Sequence, residues 1–359
     1  MKNKFILPIL LLTGILYLGS CGGSVTEDEI AEVEVREINK ELDQLITNLA
    51  ACEQQNTNCP AYTEASEGIE KLCSDEAARK EIVADLFYII QTGPSARSQA
   101  GAHAVNFWTG SSDYKNDASY GRIVLEALKK ESYDTDSYTG SQLGQLLSQW
   151  LVTSDKDLLA DIVSAMKDKS VEMRGRSELI RLSSAESFAK IGVFDAVVAI
   201  VNNTKEEESI REQGLGILWR ANDPGQVKTV KMLYESYLTN PNIKIAGPSC
   251  VGLGYMKSNE SYDAIVAAIL ANKGDKYWYY YGSSALSNLI QSGKDVLDMN
   301  AVFTLCKEML SNKEVEAYYR SNYVSTLAKI DTAASKALLN QLKNSREKEI
   351  AAEAKRVAK

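Results

Sequence analysis

The chain has 359 residues, 45% hydrophobic and 25% charged, with a net charge of −8 and a pI near 5.1. This is a globular composition and excludes a disordered chain. The acidic balance argues against a nucleic-acid partner, which needs a basic face to recruit phosphates. Six prolines, and segments rich in Ala, Leu, Ile, Glu and Lys, predict helices rather than strands.

In chain order, Lys2 and Lys4 precede an apolar stretch from Phe5 to Leu18, followed by Leu18-Gly19-Ser20-Cys21. A positive start, a short apolar run and small residues before a cut predict a secretory signal, too short for a stable membrane span. Leu18-Gly19-Ser20-Cys21 resembles the lipobox of bacterial lipoproteins. The resemblance implies that residues 1–20 are removed, that the Cys21 sulfur is diacylated and that the new amino terminus is acylated. At about 0.8 kcal/mol per buried methylene, two or three acyl chains anchor far more firmly than one. Residues 21–29 then form a lipidated tether, and the expected address is the bacterial cell envelope. Glycine after Cys21 favours the outer membrane, with its periplasmic face and the cell surface both open.

Residues 30–94 predict an N-terminal helical cap. Ile30, Val33, Val35, Ile38, Leu42, Leu45, Ile46 and Leu49 recur at helical spacing as far as Cys52. Two further helices are expected near Tyr62 to Cys73 and Glu76 to Thr92, the latter ended by Gly93-Pro94. Without Cys21, five cysteines remain. Cys52 and Cys59 flank a polar stretch that reads as the turn of a helical hairpin, so an exported chain is expected to bridge them. A loop that short contributes about 2–3 kcal/mol in the chain-entropy account. Cys73 is carried away along the second helix, and Cys250 and Cys306 occupy apolar core positions.

From residue 95 to 359 the sequence carries an internal repeat, a small residue followed three and seven places later by core-type residues. It is clearest in Ala185/Phe188/Gly192, Gly214/Ile217/Ala221, Gly247/Cys250/Gly254, Gly282/Ala285/Leu289 and Ser321/Val324/Ala328. A turn with Asp, Asn or Gly and a second amphipathic helix follow each one. Two helices per repeat, small residues where helices approach and a polar internal turn resemble HEAT-like repeats. The resemblance implies an all-α solenoid in which only stacking gives a continuous core. The charged segment from Lys343 to Lys359 is expected to give the last unit a polar outer face.

No catalytic constellation is legible. The single histidine, His103, shares a slot with Phe188, Ile217 and Cys250, so an interior position is expected. A catalytic His103 would need solvent access and a carboxylate or hydroxyl within reach. Gly247-Pro248-Ser249-Cys250 sits inside a repeat helix, unlike a nucleophile elbow. Asp134 to Gly140 lacks the glycine and glutamate placement of a calcium loop. Glu206-Glu207-Glu208 reads as a solvated helix start. No cofactor is called for.

The distinctive chemistry is aromatic. Tyr277-Trp278-Tyr279-Tyr280-Tyr281 opens one repeat, and Tyr318-Tyr319-Arg320 with Tyr323 opens the next. Five consecutive aromatics cannot all face inward on a helix of 3.6 residues per turn. Tyr, Trp and Arg are enriched in binding hot spots, so Trp278, Tyr279, Tyr280, Tyr318, Tyr319 and Arg320 form the candidate partner-binding edge. Packing of Trp278, Tyr281 and Tyr319 between repeats is the competing expectation. The reading that follows is a lipid-anchored, non-enzymatic binding or scaffolding protein whose partner is another protein or an envelope glycan. The alternative is an envelope enzyme acting on glycan or peptide in the solenoid groove.

Overall fold

The computed structural model describes residues 36–52, 58–131, 142–151, 155–183, 185–190, 192–293 and 296–357. The expected signal, Cys21, the expected tether and the Asp134 to Gly140 segment lie outside the described residues. Every regular element among those described is helical. The first helices are α1 (Lys40–Ala50), α2 (Pro60–Leu72), α3 (Glu76–Thr92), α4 (Ser95–Phe107), α5 (Ala118–Lys129), α6 (Gln142–Leu147) and α7 (Lys156–Lys167). Then come α8 (Met173–Leu182), α9 (Ala185–Phe188), α10 (Val193–Asn202), α11 (Glu208–Leu218), α12 (Pro224–Tyr237), α13 (Ile243–Tyr255) and α14 (Tyr262–Ala271). The last are α15 (Lys276–Gly293), α16 (Met299–Ser311), α17 (Ala317–Arg320), α18 (Asn322–Ile330), α19 (Ala333–Leu342) and α20 (Lys348–Val357).

Capping side chains set many of the helix starts. Asn39 Oδ1 accepts from the backbone N–H of Glu41 and Leu42, so α1 begins at Lys40. Arg36 to Asn39 are not helical, which shortens the helix expected from Ile30. Asp155, Asp223 and Asp298 cap α7, α12 and α16 in the same way, and Thr332 with Ser335 forms a capping box on α19. Gly192 starts α10 with φ of 65°, a left-handed conformation natural to glycine. Cys52 and Cys59 are joined by a disulfide with a Cα–Cα distance of 6.2 Å, across the gap between α1 and α2. Cys73, Cys250 and Cys306 are free and buried.

The helices stack in two layers. In the first layer α1, α4, α6, α8, α11, α13, α15, α18 and α20 each pack on the next. The second-layer helices α3, α5, α7, α10, α12, α14, α16 and α19 each pack on the first-layer helix that follows in sequence. The repeat therefore closes between a second-layer helix and its successor, and the stack is an all-α, solenoid-like fold. Leu215, Leu253, Leu286 and Leu327 of the first layer are fully buried, as are Val230, Ile265 and Val302 of the second. Close approach within the first layer requires small residues. A Cβ on Gly254 would lie 2.7 Å from the Ala285 backbone, and one on Gly247 would enter the Tyr281 ring. Between α12 and α14 the second layer opens into a cavity of about 470 Å³.

At three closures the carbonyl end of a helix is buried and bonded by an arginine. Arg176 Nε donates to Met166 O at 3.2 Å, Arg211 Nε to Val201 O at 2.9 Å and Arg320 Nη1 to Leu310 O at 2.6 Å. In each case the acceptor lies ten residues upstream, and all three arginines are buried. Arg176 also grips Glu206 with two bonds of 3.0 and 2.9 Å, and Arg320 grips Glu347. Glu206 is therefore not part of a solvated helix start: it is 8% exposed and ties one closure to the next. The bond to Arg176 holds its carboxyl below the usual glutamate value, and Arg320 does the same to Glu347.

Gly254→Ala should destabilise by about 1–3 kcal/mol, because backbone rather than a flexible side chain blocks the new methyl. Gly216→Ala, in an exposed helical position with nothing within 4 Å, should stabilise by about 0.5–1 kcal/mol; urea midpoints of the two variants check both. Arg176→Ala should cost about 3–5 kcal/mol, since it strands a buried carboxylate. A lowered folded pKa contributes stability above the unfolded value, 4.5, that is lost as pH falls through the folded one. Glu206→Gln should accordingly flatten the loss of stability below about pH 4.5 in denaturation measured from pH 7 to pH 3.

Candidate binding face

On α15 the accessible positions form one stripe: Tyr277, Tyr280, Tyr281, Ser284, Ser287, Asn288 and Gln291. Their three- and four-residue spacing places them on a single helix face. Asn322, Ser325 and Lys329 of α18, Val251 and Tyr255 of α13, and Glu212 and Gly216 of α11 with Trp219 just past its end form similar stripes. The first layer thus keeps an accessible face, polar along its middle and aromatic at both helix ends.

At the N-terminal edge, Tyr277, Tyr280 and Tyr318 are 51%, 59% and 66% exposed, and Tyr319 is half-buried. Lys276 Nζ lies 5.3 Å from the Tyr277 ring centre and 5.4 Å from that of Tyr319, a cation held between two aromatic faces. The Tyr277 and Tyr319 rings meet edge to face at 6.5 Å, and Tyr318 meets Tyr319 at 5.2 Å.

Three of the six expected edge residues do not belong to this surface. Trp278 and Tyr279 are 2% and 0% exposed, on the side of α15 that faces the core. Tyr279 Oη donates to Lys273 O at 3.0 Å and accepts from Asn312 Nδ2 at 2.9 Å, so its hydroxyl serves a turn. Arg320, 2% exposed, is one of the closing arginines. Tyr280, Tyr318 and Tyr319 remain at the edge, joined by Tyr277 and Lys276.

The opposite edge was not anticipated. Trp219 and Tyr255, at the C-terminal ends of α11 and α13, stack with ring centres 4.7 Å apart and planes 26° apart. The Arg220 guanidinium lies 5.7 Å from the Trp219 ring centre and is fixed by bonds from Nη1 to the carbonyls of Arg181 and Ser183. With Ala221, Val227 and Met256 they line a cavity of about 350 Å³. A signal existed: Trp219 falls two residues before Ala221 and Tyr255 one after Gly254, the last members of two repeat triplets. The thirteen residues of α13 rise about 20 Å at 1.5 Å each, so that helix separates its own two ends by about this length.

His103 is far from accessible. It is 7% exposed, with the rings of Tyr62, Phe107 and Trp108 centred 5.6, 4.7 and 4.7 Å from its own. Burial pushes its pKa down to about 4, against a hydrogen bond with Gln142 that raises it. A catalytic reading that needs an open His103 fails on this geometry. Among the described residues no group of three His, Cys, Asp or Glu side chains is placed to hold a metal. No described helix is long and apolar enough to cross a membrane.

No protein family and no curated protein matches the chain. Among solved structures, a crystal structure of an engineered protein is similar at 16% identity, covering 89% of this chain and 98% of that one. Its TM-score of 0.33 is too low to carry any argument.

Tyr280→Ala and Tyr318→Ala should leave stability within about 0.5 kcal/mol of the parent, as exposed positions do. Tyr279→Phe should cost about 1 kcal/mol, because Asn312 and the Lys273 carbonyl each lose one bond and keep only the one to each other. Thermal melts distinguish the two classes. A histidine with a lowered folded pKa favours folding fully above its unfolded value, 6.5, and loses that contribution as pH falls towards 4. Stability should therefore rise between pH 4 and 6.5, and His103→Gln should flatten that rise in urea denaturation against pH.

Proposed function

We propose that this chain is a lipid-anchored protein of the bacterial envelope whose first-layer face binds another protein without catalysis, as a docking or scaffolding module. The address rests on Leu18-Gly19-Ser20-Cys21, with acyl chains on Cys21 as the membrane contact and the outer membrane as the favoured site. The binding reading rests on one observation: aromatic groups stand at both edges of the accessible first-layer face, Tyr277, Tyr280 and Tyr318 at one and Trp219 and Tyr255 at the other. A small ligand would use one edge. A partner that engages both must be a macromolecule, and exposed Tyr, Trp and Arg side chains are the anchors that protein interfaces favour. The polar stripe between them, with Ser284, Asn288 and Ser325, suits the hydrogen-bonding area around such anchors. An envelope glycan lying along the face is the other outcome.

Photo-crosslinkers placed singly at Tyr280 and Tyr255 in intact cells test this reading. Capture of the same polypeptide from both positions is expected, and a crosslinker at exposed Met232 on the second layer should not capture it. Capture of no common polypeptide would refute a protein partner. Cys21→Ala should move the protein from the membrane to the soluble fraction. Protease added to intact and then permeabilised cells reports which side the face occupies.

A further inference from the structure

The last helix pair carries a charge imbalance opposite to that of the chain. Lys336 to Lys359 contain seven lysines and arginines against three glutamates, a net of +4 where the whole chain carries −8. Two of the three carboxylates are already engaged, Glu347 by Arg320 and Lys313, and Glu353 by Arg356 and Ser325. Lys343 at the end of α19, and Lys348 and Lys355 on α20, form no ion pair among the described residues. These three lysines surround an open depression of about 480 Å³ whose remaining lining is Asn344, Ser345, Ala351 and Ala352. The third carboxylate, Glu349, follows Lys348 about 100° further round the helix and does not line it.

Lys348 and Lys355 stand two turns apart, about 10.5 Å along the axis. That is close to the screening length at physiological salt, so their repulsion does not threaten the helix. Their potentials still add in the space between, and Lys343 contributes from the other side. Ser345 Oγ accepts the Glu347 N–H at 3.2 Å, which leaves the hydroxyl hydrogen for an oxyanion. Small Ala351 and Ala352 allow a ligand to sit low between the ammonium groups.

We propose that this depression binds a phosphate ester. A phosphomonoester carries a charge of about −1.5 to −2 at pH 7 and three acceptor oxygens. It can therefore bridge three lysines where a single carboxylate would leave most of their charge unmatched, and lysine is a standard point-charge partner of phosphate. The phosphate can belong to a small soluble molecule or to a lipid headgroup.

The test uses the full chain carrying Cys21→Ala, so that no acyl group contributes to membrane binding. Inorganic pyrophosphate is titrated calorimetrically, and sedimentation is measured with phosphatidylcholine vesicles with and without phosphatidic acid. A companion chain carries K343Q, K348Q and K355Q, and a charge-matched control carries K167Q, K228Q and K307Q at exposed positions on other helices. Binding of pyrophosphate, weakened about tenfold or more in the first triple variant and unchanged in the second, identifies a soluble phosphate site. Binding only to vesicles containing phosphatidic acid, with the same dependence, identifies a headgroup site. Failure of both probes, or binding that the two triple variants weaken equally, overturns the proposal. Matching thermal melts of all three chains show that the substitutions leave the fold intact.

Discussion

A stack of helix pairs has to bury the carbonyl ends of its helices, and this is the constraint on which the rest of the structure depends. The last four carbonyls of a helix have no partner within it, and burying one unpaired costs as much as losing a hydrogen bond. Arg176, Arg211 and Arg320 answer that need for α7, α10 and α16 by reaching back ten residues to a helix end. At the return from α14 to α15 there is a different bond, in which Tyr279 Oη and Asn312 Nδ2 both donate to Lys273 O in the turn two residues past α14. Glu206 and Glu347 then neutralise two of the arginines from the following return, which couples neighbouring closures. A guanidinium suits this position because its planar fork serves a carbonyl and a carboxylate at once.

This constraint also decides which side chains are left over for function. Aromatic and arginine residues stand together at the start of α15 and at α17, but those that satisfy a closure or fill the core are withdrawn from solvent. The remaining positions lie on the one stripe of each first-layer helix that neither the neighbouring helices nor the second layer covers. That stripe is rigid because its backbone is fixed by close contacts such as Gly254 on Ala285. A preformed face lowers the ordering cost of any association made through it.

Much of the fold was legible in the sequence. The small-residue triplets mark where first-layer helices approach, as Gly254 against Ala285 and Gly247 against Tyr281 demonstrate. Asp223 and Thr332 were readable as helix starts because their caps are local. The triplet at Ala185 was less informative: α9 is a single turn, and the first-layer helix of that repeat is α8, which precedes it. The site was legible only in part. Tyr280 and Tyr318 are exposed as an edge position requires, whereas Arg320 and Tyr279 share their composition and neighbourhood but are turned inward by the helix. Trp219 and Tyr255 lie thirty-six residues apart and acquire meaning only when α11 and α13 stack.

The sequence by itself determined the helical class, the repeat spacing and many of the caps, because these depend on residues within one or two turns of each other. The tertiary structure alone decided that each second-layer helix closes on its successor, and that an arginine ten residues beyond a helix end becomes a buried partner rather than a surface anchor. It also decided that two aromatic groups share one face and that three separated lysines meet at one depression. Those outcomes depend on the rotation and separation of neighbouring helices, which are fixed by summed packing over the whole stack and by no local pattern.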